Sequence, residues 1–172
     1  MKKAGVALAI TALFALIGVF TYAALNNSAN VVKTAQSAPS TVSEQPKPPT
    51  RPELLKLVNA ERKKYGAKPL VIDERLNKSA QYKADDMAKR HYFGHEDPKT
   101  GKKNGLDYSG MLIKCTWVSE NIRENGDVND SKHTVAAWIS SKPHRKAILD
   151  PQYEITGFGI NGNLIVEHFC NI

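Results

Sequence analysis

Apolar residues recur at helical spacing in two early segments of the chain. Leu54, Leu57 and Val58 predict a helix over residues 53–65, which ends before Gly66. After the acid pair Asp73 and Glu74, a second apolar stripe predicts a helix that runs to about residue 90. Its members are Leu76, Ala80, Ala84, Met87 and Ala88.

Further along the chain the pattern alternates between loop, strand and helix. Residues 91–105 are dense in Gly, Pro and Asn, which predicts a loop. Residues 111–118 are rich in β-forming side chains and predict a first strand, and residues 130–139 predict a third helix. A short helix with Pro143 in its first turn follows, and it ends before Asp150 and Pro151.

The last part of the chain predicts a hairpin. Residues 154–161 and 163–171 alternate as two strands, and Gly162 between two asparagines marks a tight turn. Helices placed first and strands last predict an α+β fold around an antiparallel sheet. Residues 53–172 are enough for one domain with its own core.

The N-terminus predicts export. Lys2 and Lys3 precede an uncharged run over residues 4–25, long enough to cross a bilayer, so residues 1–25 form a signal anchor or a signal peptide. The length of the run favours an anchor, whereas the small residues Ala23 and Ala24 favour cleavage. Both alternatives place the rest of the chain outside the cytoplasm, anchored to the cell membrane or secreted.

Residues 26–52 are rich in Ser, Thr, Gln and Pro and predict a disordered linker. Residues 1–51 hold five basic residues and one acidic residue, so they carry +4 of the formal net charge of +7. The remaining +3 lies on a domain whose basic and acidic residues are interleaved. This pattern is typical of a solvated surface and argues against a nucleic-acid partner.

The two cysteines predict a disulfide bond. Cys115 lies in the predicted first strand and Cys170 in the last, and a lone pair in an exported chain is more often bonded than free. If those strands are neighbours, the bond closes a loop of some 55 residues. Such a loop is worth on the order of 4 kcal/mol in the chain-entropy description.

Candidate chemistry rests on three separated side chains, because no short catalytic signature is present. His144 falls in the first turn of the short helix, where the helix dipole favours a neutral imidazole. Ser140 and Ser141 before it are suited to cap that helix, and a capping role alone would also account for a histidine there. His95 and Glu120 complete the set. If they converge with His144, they form a zinc site with an open position, a polar-ligand site or a proton-transfer site.

Four motifs in this order resemble the bacterial branch of the CAP superfamily, the cysteine-rich secretory proteins, antigen 5 and pathogenesis-related 1 proteins that share the SCP domain. They are HYFGHEDP at 91–98, SENI at 119–122, the run from 136 to 160, and VEHF at 166–169. The resemblance covers residues 53–172. It implies an α-β-α sandwich with a central antiparallel sheet.

The resemblance also implies a cleft lined by two histidines and two glutamates, which in some members binds zinc. His95 and His144 match the histidines, and Glu120 matches one glutamate. Ser141 stands where the second glutamate is expected, so a mechanism that needs two carboxylates is not implied.

Three functions follow as hypotheses. The first is an extracytoplasmic binding or scaffold module whose cleft takes a divalent metal or a small polar, lipid or peptide ligand. The second is a metal-assisted hydrolase of peptides or cell-wall material, with His95 and His144 as ligands and Glu120 as general base. The third is a purely structural domain in which the same side chains form a satisfied hydrogen-bond network.

Overall fold

A computed structural model of the chain describes residues 46–172. The predicted signal segment 1–25 and the predicted linker up to residue 45 lie outside the described residues. Pro49 is buried, and the first helix begins at Arg51, so the end of the predicted linker belongs to the domain. Among the described residues, no helix is long and apolar enough to cross a membrane.

The described residues form five helices and four strands. The helices are α1 (Arg51–Lys64), α2 (Glu74–Arg90), α3 (Asn104–Leu112), α4 (Ser131–Ser140) and α5 (Lys142–Leu149). The strands are β1 (Val71–Ile72), β2 (Trp117–Glu124), β3 (Ile155–Asn161) and β4 (Leu164–Asn171). Four of the five helices and the closing hairpin agree with the predicted elements to within about two residues, and Gly162 at the turn has φ +58°.

The strands form one sheet in the order β1-β3-β4-β2. β4 pairs antiparallel with both β2 and β3, as predicted, whereas the two-residue β1 pairs parallel with β3. The sheet is therefore mixed rather than purely antiparallel. Most of the domain lies between β1 and β3 in the chain, and such a long connection allows the two strands to pair in parallel. β2 is an edge strand, and this places its residues beside the helices.

Apolar side chains cover both faces of the sheet, which makes the fold a three-layer α-β-α arrangement. On one face, α1, α4 and α5 pack on the sheet around Trp138, Phe158 and Phe169, all fully buried. On the other face, Ala80, Ala84 and Met87 of α2 pack against Ile122 and Val166. Successive side chains of β4 point to opposite faces of the sheet, so this strand contributes to both cores.

α2 lies directly on β3 because two glycines of β3 remove the side chains that would separate them. A Cβ atom at Gly157 would stand 2.2 Å from the backbone nitrogen of Asn77, and one at Gly159 would stand 2.1 Å from the backbone oxygen of Ala80. The close approach lets the side chains of Asn77 and Gln81 reach the main chain of β3.

Two sequence predictions around residue 111 are wrong. The predicted strand 111–118 begins only at Trp117, and the predicted loop ends in a helix, α3, at Asn104–Leu112. Gly105 and Gly110 are poor helix formers, which is why the sequence favoured a loop. Packing against α2 overrides this preference: Tyr108 stacks against Tyr82 with ring centroids 4.7 Å apart.

The disulfide between Cys115 and Cys170 is confirmed, with a Cα–Cα distance of 5.6 Å. Cys115 precedes β2 rather than lying within a strand, but β2 and β4 are neighbours as the pairing required. The bond ties the entry of β2 to the end of β4.

Candidate functional site

Glu120 on the edge strand β2 binds two histidines with its two carboxylate oxygens. Oε1 lies 2.8 Å from Nδ1 of His95, and Oε2 lies 2.8 Å from Nε2 of His168. The side chain of Glu120 is 3% exposed, so these contacts satisfy a carboxylate that water barely reaches. Two of the three predicted site residues, His95 and Glu120, are therefore in direct contact.

The charge state of Glu120 follows from this environment. Burial acts to raise its pKa, but hydrogen bonds from His168 and His95 and the nearby charges of His168 and Lys83 outweigh burial and lower the pKa to about 2. A carboxylate with such a low pKa and both oxygens engaged is a poor proton acceptor at neutral pH. Its geometry suits positioning of His95 better than the general-base role considered from the sequence.

His95 follows α2 in the loop before α3, and its side chain is 45% exposed. Because a carboxylate only accepts hydrogen bonds, a neutral His95 carries its proton on Nδ1, facing Glu120. Its Nε2 is then an unprotonated acceptor. A carboxylate behind one ring nitrogen fixes both the tautomer and the orientation of the imidazole.

His144 and Ser141 line a cleft of about 430 Å³ along β2. His144 is the third residue of α5, as predicted for the first helical turn, and Ser141 joins α4 to α5. Four apolar and three polar residues complete the lining. They are Phe93, Ile122, Ala137, Trp138, Arg123, Glu124 and Ser140.

The pKa of His144 is lowered, so this imidazole is neutral at pH 7. Burial is the main cause, followed by the charges of His95 and Arg123. The predicted direction is confirmed, although burial and these neighbours produce the shift. Ser141 is the N-cap residue of α5, but the predicted side-chain cap bonds are wrong: the side chain of Ser141 makes no cap bond, and the Ser140 hydroxyl donates to the Ala137 carbonyl.

Two buried polar residues behind Glu120 were not predicted from the sequence. His168 on β4 is fully buried, and its Nδ1 lies 2.7 Å from Oγ of Ser79. Ser79, His168 and Glu120 follow the order of a nucleophile, base and acid, but Ser79 is also fully buried, so its hydroxyl supports Glu120 and is out of reach of a substrate. A histidine inside a strand otherwise apolar on that face was the signal available from the sequence.

Lys83 is the second missed residue. It is fully buried, and its Nζ donates to the hydroxyl of Tyr92, the backbone oxygen of His95 and Oδ1 of Asn104, at 3.1, 3.1 and 3.3 Å. Burial lowers its pKa, while the charge of Glu120 acts to raise it. Lys83 lies three residues after Ala80 on the apolar stripe of α2, and a lysine on such a stripe indicates a buried polar network. This lysine holds the backbone of His95 in place.

The structure thus divides the predicted set into two connected parts. His95 and Glu120 are bonded to each other on the α2 side of β2, whereas His144 and Ser141 lie on the α4–α5 side. The side-chain amide of Asn121, next to Glu120, donates to the backbone oxygen of His144 at 3.2 Å and connects the two sides.

A metal site needs more ligands than the described residues bring together. Within residues 46–172, no group of three or more His, Cys, Asp and Glu side chains is placed to hold a metal ion. Glu120 has no oxygen to spare, which leaves the two imidazoles of His95 and His144. Catalytic zinc sites use three protein ligands, so the donor set does not fit a resident zinc ion.

The chain belongs to the CAP family: the family model described as the cysteine-rich secretory protein family matches residues 55–163, more than half of the chain. This match confirms the resemblance seen in the four sequence motifs. It spans the region from α1 to the turn before β4, including His95, Glu120, Ser141 and His144.

Relatives with the same domain are longer proteins. The chain is 37% identical over 144 residues to the uncharacterized protein YkwD of Bacillus subtilis, covering 83% of this chain and 53% of that protein. It is 29% identical over 117 residues to the uncharacterized membrane protein YlbC of the same organism, covering 68% and 33%. The chain therefore spans about half or less of these relatives.

The fold is shared with a solved structure. An extracellular protein containing an SCP domain from Bacillus anthracis superposes with a TM-score of 0.64 at 23% identity, covering 71% of this chain and 40% of that chain. This similarity supports the three-layer fold described above.

Proposed function

We propose that this protein is an extracytoplasmic binding module that holds a small polar ligand between His144, which lines the cleft beside β2, and His95, which lies outside the cleft lining but close enough for its charge to act on His144. The observation that carries the proposal is the commitment of both Glu120 oxygens to imidazoles. It leaves Nε2 of a neutral His95 free to accept a hydrogen bond, near a second imidazole that is neutral at pH 7.

The location outside the cytoplasm is supported by the apolar run at residues 4–25 and by the disulfide. Two similar proteins, one described as extracellular and one as a membrane protein, agree with it. The length of the apolar run favours an anchor in the membrane over release.

A small polar ligand accounts for the site better than zinc or hydrolysis does. Two imidazoles offer hydrogen-bonding groups without a third metal ligand, and the low pKa of Glu120 removes the general base that the hydrolase hypothesis requires. The buried Ser79, His168 and Lys83 then have a function: they hold Glu120 and the His95 backbone in one arrangement.

The test is an NMR screen of the wild-type protein against a library of small carboxylic acids, amides and sugars. We expect bound fragments to shift the resonances of Ser141 and His144. His144→Ala should weaken the affinity of these fragments about tenfold, because roughly one hydrogen bond is lost. His133→Ala is the matched control, because His133 lies on α4 with a side chain 61% exposed. Fragments that bind equally well to His144→Ala would contradict the proposal.

Zinc provides a second arm of the same test. Calorimetric titration with zinc chloride should show no stoichiometric binding at micromolar concentration. A stoichiometric isotherm that disappears in His144→Ala would show that the cleft binds a metal ion and not a polar ligand.

A further inference from the structure

The buried Lys83 belongs to a closed ring of side-chain hydrogen bonds between α2 and α3. Its Nζ donates to Oδ1 of Asn104 at 3.3 Å and to the hydroxyl of Tyr92 at 3.1 Å. The Tyr92 hydroxyl donates to Oδ2 of Asp86 at 2.6 Å, and the same Oδ2 accepts from Nδ2 of Asn104 at 2.8 Å. An amine, a hydroxyl, a carboxylate and a side-chain amide are thus connected in sequence, and the amide closes the ring on the amine.

The packing of α3 on α2 holds the amine beside the amide. Asn104 is the first residue of α3, and Gly105 follows it. A Cβ atom at Gly105 would stand 2.9 Å from Cβ of Lys83 and 2.9 Å from Oε2 of Glu120, so only glycine lets α3 approach this closely. The Asn104 carbonyl carbon, which is bonded to Oδ1, therefore lies next to Nζ of a fully buried lysine.

The surroundings of Lys83 favour the neutral amine, which is the form that attacks a carbonyl carbon. Burial lowers its pKa, although the charges of Glu120 and Asp86 act to raise it. Within residues 46–172, none of the hydrogen-bond partners of its Nζ is a carboxylate. The ammonium form therefore has no direct ion pair to compensate for the loss of water.

We propose that Lys83 and Asn104 join in an intramolecular isopeptide bond between α2 and α3. The neutral Nζ attacks Cγ of Asn104, and one proton leaves Nζ through the Tyr92 hydroxyl to the Asp86 carboxylate. Asp86 passes this proton to Nδ2, which becomes basic once Cγ is tetrahedral. The Cγ–Nδ2 bond then breaks and ammonia leaves, so that one amide replaces another and no oxidant or cofactor is needed.

The bond goes beyond the proposed function, because it requires no ligand. It would close the segment between α2 and α3, which includes His95, into a covalent loop with a sequence separation of 21 residues. Covalent closure of a loop stabilises a fold by restricting the unfolded chain. The disulfide Cys115–Cys170 does this elsewhere in the domain, but an isopeptide bond would also resist reducing agents.

Mass spectrometry of a tryptic digest of the reduced, full-length wild-type protein tests the proposal. Trypsin does not cleave after an acylated lysine. We therefore expect one branched peptide made of residues 79–89 and 104–114, lighter than the sum of its parts by one molecule of ammonia.

Complete cleavage after Lys83, with no branched peptide after long incubation of the folded protein at neutral pH, would overturn the proposal. The backbone nitrogen of Gly105 can also expel ammonia from Asn104, but that product stays within one peptide. Loss of ammonia confined to residues 104–114 would therefore overturn the proposal as well.

A pair of variants tests the proton transfer. Asp86→Asn keeps the shape of the side chain but cannot take up the proton, so the branched peptide should form about a hundredfold more slowly after a pulse of expression. The matched control is Asp85→Asn, a neighbouring exposed carboxylate outside the ring, which should react at the wild-type rate.

The Cys115–Cys170 disulfide in an unreduced aliquot shows whether each variant has folded. Tyr92→Phe removes only the relay hydroxyl and should also slow the reaction in a folded protein. A wild-type rate in folded Asp86→Asn and in Tyr92→Phe would overturn the proposed proton transfer.

Discussion

Two glutamates are buried on neighbouring strands, and their environments shift their pKa values in opposite directions. Glu120 on β2 receives hydrogen bonds from two imidazoles, and its pKa falls to about 2. Glu167 on β4 is fully buried, and burial raises its pKa well above the usual value, which the Thr156 hydroxyl and the charge of Arg62 only partly oppose. Its Oε2 has no hydrogen-bond partner among the described residues. Glu120 is therefore ionised at pH 7, whereas burial favours the neutral form of Glu167.

The raised pKa of Glu167 makes the stability of the domain depend on pH. Its folded pKa is raised, so its contribution to stability is fully present below the unfolded value of 4.5 and is lost as pH rises toward the folded pKa. Glu167→Gln removes this loss. We expect the variant to gain stability relative to wild type as the pH rises above 4.5, with the difference vanishing below pH 4.5.

Urea unfolding of both proteins across this pH range measures the effect. Glu96→Gln is the control, since Glu96 is exposed. A Glu167→Gln variant that is less stable than wild type at pH 7 would show that the carboxyl makes a contact that an amide cannot replace.

At the level of single residues, the sequence identified candidates but could not show their contacts. His95, Glu120 and His144 are separated by more than twenty residues each, so their relation depends on how β2, the loop after α2 and α5 meet. The resemblance to the CAP family supplied that relation in outline. The support given by His168 and Lys83 stayed hidden, because single polar residues inside apolar segments carry little signal by themselves.

At the level of elements, the contact between α2 and β3 organises the sheet beside the site. Gly157 and Gly159 allow the helix to approach until Asn77 and Gln81 bond the main chain of β3. The same helix carries Ser79 and Lys83, which hold His168 and the His95 backbone. Displacement of α2 would therefore disturb both the sheet and the site.

Gly159→Ala tests this contact. Its Cβ would stand 2.1 Å from the Ala80 backbone oxygen, so the helix must shift, and we expect a loss of about 3 kcal/mol or more in the free energy of unfolding. The matched control is Gly110→Ala in α3, where nothing lies within 4 Å of the new Cβ. That variant should gain up to about 1 kcal/mol, because alanine favours a helix. Equal effects of the two substitutions in thermal unfolding would contradict the packing described here.

The elements that the sequence predicted well are those with a regular apolar pattern. α1, α2 and the β3–β4 hairpin have such patterns together with clear end signals, and Asp73 caps α2 by accepting from the Arg75 N–H. α3 was missed because its two glycines and polar start are typical of a loop. The pairing of the short β1 with β3 was missed because two residues are too few to show a period.

At the level of the whole molecule, the three layers bring His95 and His144 to one edge of the sheet from opposite sides. The sequence and the family resemblance predicted the layers and the participants. They did not predict that β2 would lie at the edge of the sheet, because that position depends on the strand order.

The proposed binding site depends most on Glu120 presenting His95 in one tautomer near a neutral His144. A long-range ¹H–¹⁵N NMR spectrum of the imidazoles at pH 7 tests this directly. We predict that neutral His95 carries its proton on Nδ1, that His144 is neutral because its pKa lies below 6.5, and that Glu120→Gln abolishes the tautomer preference of His95. A neutral His95 protonated on Nε2, or a cationic His144 at pH 7, would contradict the account.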